Sequence, residues 1–283
     1  MAQLRRPALA ICALVLAVSA AGCNSATPET LTPSPLSDPS AILGGSFVAL
    51  ESTTTVHVDG TLGGTINASS LGAIVGMTAA LTGTVKLDGT KVAGDIDMSR
   101  QAFDLTLAFP ASLLGLKAEA ILVDGYSYTM FDLFSSKYTR TQVSSSVPSS
   151  GGAPASSASP GATLDFADIV RQIKSRLDSS GTATTLVGLD AVDGRDTYHL
   201  RLAVPAGALN QEIGAAAGTA ASGVTLDVTT LDYWVYTDGL APARLQTTAS
   251  SPTLGDIDLS LTLTQYDKPV TIQAPPDSQI EAG

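Results

Sequence analysis

Apolar and polar residues alternate along most of the chain, which is the pattern of strands that bury one face. The runs at 103–109, 198–204 and 257–264 place large apolar side chains at every second position. Between such runs lie Asp-Gly pairs, which tight hairpin turns favour because they tolerate positive φ. They are Asp59-Gly60, Asp88-Gly89, Asp124-Gly125, Asp193-Gly194 and Asp238-Gly239. The pattern predicts antiparallel strands joined by successive hairpins.

Three stretches depart from this alternation and predict helices. From Asp165 to Leu177, apolar residues recur at helical spacing and the basic residues lie off that stripe. Residues 39–51 also have spaced apolar positions, although two adjacent glycines lower their helix propensity. Residues 206–217 are rich in alanine and follow a proline. We expect these helices to cover one face of the sheet.

The first 22 residues have the features of a secretory signal peptide. Two arginines precede an uncharged run from residue 7 to 21, which is shorter than the about 20 apolar residues of a spanning helix. Ala20-Ala21-Gly22-Cys23 follows and resembles the bacterial lipobox, in which the cysteine is acylated after cleavage. We therefore expect Cys23 to carry a lipid anchor at the extracytoplasmic face of the cell membrane. Secretion with a free Cys23, or an uncleaved anchor helix, is the alternative.

Composition divides the rest of the chain. Residues 23–40 are rich in Ser, Thr and Pro, which predicts a flexible tether after the anchor. Residues 41–283 have a length typical of one β-rich domain, and we expect a monomer. Within them, residues 143–161 (VSSSVPSSGGAPASSASPG) predict a disordered surface loop. A linker between two domains is the alternative for that segment.

The residue content argues against several functions. Cys12 leaves with the signal peptide and Cys23 is the attachment point, so the folded domain has no disulfide and no thiolate metal site. The formal net charge is −11, which disfavours binding to nucleic acid. His57 and His199 are the only histidines, and no Gly-x-Ser-x-Gly motif accompanies them. We expect no enzymatic activity, no cofactor and no bound metal.

Several segments follow one another in the order and spacing of a known family. They are 120–125 with Tyr126 and Tyr128, then 188–194 with 198–202, and finally 234–244 with 259–266, Pro269-Val270 and 274–276. In these segments the chain resembles the LppX/LprA/LprF/LprG lipoproteins of bacterial cell envelopes, over most of residues 42–280. The insertion at 143–161 and the apolar stretch at 71–81 depart from the family pattern.

This resemblance implies both a fold and a function. The implied fold is α+β, a strongly curved antiparallel half-barrel with a few helices across its concave face, similar to the LolA/LolB carriers and enclosing a hydrophobic cavity. The implied function is to bind an acylated lipid, glycolipid or lipoglycan and carry it from the cytoplasmic membrane to an export or assembly partner, such as a lipid exporter. The alternative is a ligand-free envelope module that binds a protein partner or senses envelope stress.

The candidate lipid-binding residues are apolar positions on two of the predicted strands. They are Phe103, Leu105, Leu107, Phe109, Leu200 and Leu202. An aromatic content of 5% and 26 glycines suit a cavity and a thin, filled core equally well. Trp234 lies on the opposite strand face from its neighbours, either at a lipid portal or packed under a loop.

Overall fold

A computed structural model describes residues 36–67, 83–133, 135–143, 166–205 and 227–281 of the chain. These residues form two α-helices, α1 (Pro39–Leu50) and α2 (Phe166–Ser179), which confirms two of the three predicted helices, and two short 3-10 helices at Ala111–Leu113 and Asp277–Gln279. The strands are β1 (Thr55–Asn67), β2 (Thr84–Lys86), β3 (Thr90–Asp97), β4 (Ala102–Ala108), β5 (Lys117–Val123), β6 (Tyr126–Phe131), β7 (Ser135–Gln142), β8 (Ala183–Val192), β9 (Arg195–Ala203), β10 (Asp227–Tyr236), β11 (Pro242–Ser251) and β12 (Gly255–Thr264).

Some sequence predictions concern parts of the chain outside the described residues. They are the signal peptide, Cys23 and most of its tether, the stretch at 71–81, the helix at 206–217 and nearly all of the insertion at 143–161.

The described strands form one antiparallel sheet in the order β7-β6-β5-β4-β3-β1-β12-β11-β10-β9-β8, and β2 pairs with the end of β1. Within two runs, β3–β7 and β8–β12, strands that follow one another in the chain are neighbours in the sheet, whereas β7 and β8 lie at opposite ends and β1 pairs with β2, β3 and β12. Two meanders, β3–β7 and β8–β12, are therefore joined through β1. The order has two free ends, so the sheet is open, and the predicted α+β class with a curved antiparallel sheet is confirmed.

Four of the five Asp-Gly pairs form the predicted turns. Asp124-Gly125 and Asp193-Gly194 have positive φ at both residues (52° and 77°, then 51° and 77°), as a two-residue hairpin turn with the twist of its strands requires. Asp88-Gly89 and Asp238-Gly239 lie in the turns before β3 and before β11.

The turn predicted at Asp59-Gly60 is wrong, because both residues lie inside β1. Gly60 serves a different purpose there. A Cβ atom at this position would lie 2.3 Å from the carbonyl oxygen of Ser260, so only glycine lets β1 and β12 approach so closely. Gly94 in β3 is similar, since its Cβ would lie 2.1 Å from the carbonyl oxygen of Asp104. Glycines inside central strands are typical of sheets that bend sharply.

Alternate strand residues form a continuous apolar surface, called here the inner face. It includes Val58, Ile96, Leu245 and Leu261, all 3% exposed or less. Both helices pack into the same core, α1 through residues such as Ile42 and Leu50 and α2 through Phe166, Val170 and Leu177. The opposite surface, the outer face, carries mainly polar side chains over the middle of the sheet.

Local interactions fix α1 on the inner face. The Asp38 carboxylate accepts a hydrogen bond from the backbone N–H of Ser40, and Pro39 begins the helix, so its first turn is capped. The adjacent glycines that weaken the helix in isolation have a packing role, because a Cβ at Gly45 would lie 2.5 Å from the Leu240 side chain. The hydroxyls of buried Ser46 and Tyr233 are 2.8 Å apart and link α1 to β10.

Substituting Gly60 tests the close approach of β1 and β12. We expect Gly60→Ala to lower the free energy of unfolding by about 1–3 kcal/mol, because the methyl group must displace backbone. Gly63→Ala in the same strand is the matched control, since the nearest atom to its new Cβ is 3.4 Å away. Urea unfolding followed by circular dichroism measures both, and equal losses of stability would contradict this explanation.

Candidate functional site

The predicted lipid-binding residues lie on the inner face. Phe103, Leu105 and Leu107 of β4 and Leu200 and Leu202 of β9 are at most 6% exposed, and all five belong to one apolar cluster. The sixth predicted residue, Phe109, follows β4 and is half-buried. Its ring lies edge-on to that of Phe131, with 5.9 Å between their centroids. Their role in binding lipid stays a prediction.

The two groups of predicted residues occupy different halves of the sheet. Six strand-to-strand steps separate β4 from β9 in the sheet order, which is about 29 Å at the usual spacing of about 4.8 Å. Side chains of α1 fill the half around β9, because this helix packs against β8, β9, β10 and β11. Leu200 and Leu202 therefore lie in a packed region under a helix.

The half of the inner face around β4 and β5 has smaller side chains. Ala118 and Ala120 of β5 are paired with Leu107 and Leu105 of β4 on one side, and with Phe131 and Thr129 of β6 on the other. Leu122 is paired with Ser127, which is buried although its side chain is small. Small residues in the centre of a strand pair fill less of the space above the sheet. Phe103, Leu105 and Leu107 border this region.

The inner face is wider than the described helices. Eleven strands side by side span about 50 Å, whereas two helices of about 10 Å diameter each cover about 20 Å. The buried residues of this surface are nonetheless 9% exposed or less without any ligand, so they are already covered within the protein. Exposure to water would cost about 25 cal/mol for each Å² left uncovered.

Two surface depressions are lined by described residues, and neither is an enclosed apolar cavity. One, of about 430 Å³, lies on the outer face and is lined mainly by polar residues such as Thr61, Gln246 and Ser260. The other, of about 450 Å³, is bordered by the polar face of α2 at Arg171, Lys174 and Asp178. The predicted lipid-binding residues line neither of them.

Carboxylates engage both histidines. His57 Nδ1 lies 2.7 Å from Asp95 Oδ1, and its Nε2 lies 3.0 Å from Asp59 Oδ2. His199 Nε2 lies 2.8 Å from Asp232 Oδ1. Within the described ranges, no three His, Cys, Asp or Glu side chains are grouped so that they could hold a metal ion. In the same part of the chain, no helix combines the length and the apolar character needed to cross a membrane.

An aromatic and charged cluster covers the outer face near β8–β11, and sequence reasoning missed it. The indole of Trp234 is 6% exposed and donates a hydrogen bond to Asp190, while the His199 ring stacks on it with centroids 4.2 Å apart. Trp234 is therefore packed. The His199 side chain is only 16% exposed, because β9 and β10 place the two rings side by side.

Ionic contacts tie this cluster to its neighbours. Burial favours a higher pKa for Asp232, but hydrogen bonds donated by Arg201 and His199 outweigh it and lower the pKa. The Trp234 indole and the Ala191 backbone N–H likewise lower the pKa of Asp190. The cluster holds polar groups that are already paired with one another, which is typical of a rigid support for the sheet.

A second group of outer-face carboxylates lies where β3, β4 and β5 meet. Asp104 is paired with Asp95 across the sheet and lies near Glu119. Burial and the negative charge of Glu119 raise the pKa of Asp104 to about 6, although Lys117 opposes the shift. These outer-face carboxylates are not arranged as a catalytic pair with a nucleophile, so we interpret the group as a structural feature.

Comparisons with known proteins find similarity only at the level of solved structures. No protein-family model and no curated protein match the sequence. The lipoprotein LppX of Mycobacterium tuberculosis is similar over 84% of this chain and 100% of its own, with 16% identity and a TM-score of 0.46. LprF of Mycobacterium bovis is similar over 86% and 99%, with 17% identity and a TM-score of 0.47.

A third similar structure is the Pseudomonas aeruginosa MucA/MucB complex, with 15% identity over 87% of this chain and 61% of that chain, and a TM-score of 0.32. LppX and LprF are among the proteins that the sequence resembles. TM-scores below 0.5 leave fold and function to be argued from the residues themselves.

The raised pKa of Asp104 predicts a pH-dependent effect on stability. Because the folded pKa of about 6 exceeds the ordinary value of 3.8, the folded state holds the proton more tightly. Stability attributable to this group is therefore full below about pH 3 and is lost as the pH rises from about 4 through 6. Asp104→Asn should raise the free energy of unfolding by about 1 kcal/mol at pH 7.5, allowing for partial solvent screening, and leave it unchanged near pH 3. Denaturant unfolding at both values measures this, and an equal change at each would refute it.

Proposed function

We propose that the chain is an exported envelope lipoprotein, anchored through Cys23, that binds the acyl chains of a lipid or glycolipid against its inner face. In this role it carries the lipid from the cytoplasmic membrane to an export or assembly partner. The observation that carries the proposal is the width of the apolar inner face, which exceeds the cover given by α1 and α2. An acyl chain matches such a surface because it is apolar, narrow and flexible.

The half of the sheet around β4 and β5 suits the ligand best. Its central residues Ala118 and Ala120 are small, and the bulkier Phe103, Leu105 and Leu107 supply apolar contacts beside them. Each buried methylene of an acyl chain contributes about 0.8 kcal/mol, so a long chain binds firmly without polar contacts. Leu200 and Leu202 join the site only if α1 moves, because this helix packs on their strand.

A second function is favoured by the packed side of the same face. The buried side chains of α1, such as Ile42 and Leu50 at 0% exposure, fill the space above β8–β11 without any ligand. If the other half is filled in the same way, the chain is a ligand-free envelope module that binds a protein partner or senses envelope stress.

The two functions predict different contents of the purified protein. The chain without residues 1–23 keeps every described residue and has lost the cysteine that would carry the anchor's own acyl chains. Produced in a lipid-rich bacterial host and studied by native mass spectrometry, it should carry long-chain lipid that organic solvent extracts. Protein that is repeatedly empty would favour the ligand-free module.

A matched pair of substitutions locates the ligand. Ala118→Phe adds a ring on the inner face, whereas Ala108→Phe adds one on the exposed outer face next to it. If the space holds lipid, Ala118→Phe should lower lipid occupancy severalfold with little loss of stability, and Ala108→Phe should change neither. In a filled core, Ala118→Phe would instead cost about 1–3 kcal/mol of stability through overpacking.

Cys23 has a separate test. Cys23→Ala should move the protein from the membrane fraction into the soluble exported fraction, because two or more acyl chains supply nearly all of its membrane affinity. Lipid bound by the purified domain should not change. Fractionation of cells and mass spectrometry of the mature N-terminus measure this, and continued membrane association of the variant would show that another part of the chain is the anchor.

A further inference from the structure

Three exposed apolar side chains lie at or near one edge of the sheet. Among the described residues, six large hydrophobic side chains are exposed, and three of them are Leu36 (40%), Val187 (51%) and Leu189 (65%). Val187 and Leu189 both lie in β8, the end strand of the sheet. Leu36 lies beside them, because its backbone N–H donates a 2.8 Å hydrogen bond to the hydroxyl of Tyr198, which is the cross-strand partner of Leu189.

The two edges of the sheet differ in whether other backbone pairs with them. At the other edge, the carbonyl of Tyr138 in β7 accepts a hydrogen bond from Glu281, and Tyr138 forms a parallel bridge with Ile280. No described strand lies beyond β8, and a bulge interrupts it between Leu186 and Gly188. Soluble proteins usually protect such an edge with charged side chains, so exposed Val187 and Leu189 indicate an apolar environment outside the protein.

The position of the tether indicates what that environment is. Leu36 lies thirteen residues after Cys23. Thirteen residues cannot span more than about 45 Å even when fully extended. A lipid anchor on Cys23 would therefore hold Leu36, and the β8 edge near it, within about 45 Å of the bilayer.

We propose that this β8 edge, defined by Leu36, Val187 and Leu189, is the surface through which the domain contacts a neutral lipid bilayer. The inference uses the proposed anchor and is independent of any cargo. The contact is apolar, since the chain has a formal net charge of −11 and Asp190 follows Leu189 directly, which disfavours an anionic surface. Contact through these side chains should accordingly be insensitive to salt.

The surface also has a defined relation to the inner face. Asp38 caps α1 two residues after Leu36, and α1 covers the inner face over β8–β11. Bilayer contact at Leu36 thus places the N-terminal end of α1 at the membrane. An amphiphile leaving the bilayer at this edge would meet the inner face at the start of α1.

An experiment that replaces the natural anchor separates this proposal from the acylation of Cys23. The chain without residues 1–23 contains no cysteine and receives an N-terminal hexahistidine tag, which holds it on phosphatidylcholine vesicles containing a nickel-chelating lipid. An environment-sensitive dye is attached through Leu189→Cys. Leu133→Cys is the matched control, since Leu133 is 45% exposed in the turn before β7 at the far end of the sheet.

The proposal expects the dye at position 189 to report an apolar environment and to be quenched by brominated acyl chains at least severalfold more than the dye at position 133. High salt should not change this. Equal, weak quenching at both positions would overturn the proposal, and is the result expected if the edge instead pairs with a strand of a protein partner.

A second set of variants measures affinity without a tag. Val187→Thr combined with Leu189→Thr should lower the partition of the tag-free chain onto phosphatidylcholine vesicles about tenfold, whereas Leu133→Thr should leave it unchanged. Circular dichroism checks that each variant is folded, and a double variant that partitions like the unsubstituted chain would also overturn the proposal. Protein that carries no lipid but still contacts vesicles would refute the proposed lipid cargo and leave the β8 contact surface standing. Protein that carries lipid but keeps position 189 exposed to water would refute only the β8 contact surface.

Discussion

The pairing of β1 with β12 holds the whole sheet together. Each meander is built from neighbours in the chain, and the described sheet joins the two where residues 57–66 pair with residues 255–264. This ladder pairs strands that are about two hundred residues apart in the chain. Forming it costs the entropy of closing that long loop before contacts between the two meanders can stabilise the fold. The inner face becomes continuous only through it, and Gly60 permits it because any side chain there would meet the backbone of Ser260.

Sequence patterns predicted the elements better than their arrangement. Period-two alternation, Asp-Gly turns and the apolar stripe of α2 are local signals, and each has a direct physical cause within a few residues. The turn predicted at Asp59-Gly60 was wrong because an Asp-Gly dipeptide can also lie inside a strand, where its glycine lets two strands approach closely. The stacking of His199 on Trp234 depends on the register between β9 and β10, and no local pattern encodes that register.

The candidate site shows the same contrast between local patterns, which the sequence reveals, and topology, which it does not. Strand alternation placed Phe103, Leu105 and Leu107 on the inner face correctly, because burial of one face is a property of each strand alone. That Leu200 and Leu202 lie under α1, six strands away in the sheet order, follows from topology. The sequence alone did not point to Ala118 and Ser127, because the effect of a small residue on packing depends on which residues are paired with it.

The covered β7 edge has a consequence for crowding. A domain held at a membrane by the proposed anchor would meet neighbouring copies far more often than in free solution. An open strand end would let one sheet continue into the next copy and begin an ordered aggregate. The hydrogen bond from Glu281 to Tyr138 and the bridge at Ile280 occupy this position with the chain's own terminal segment. Copies of the domain that meet at this point of β7 would therefore find its backbone already paired and separate again.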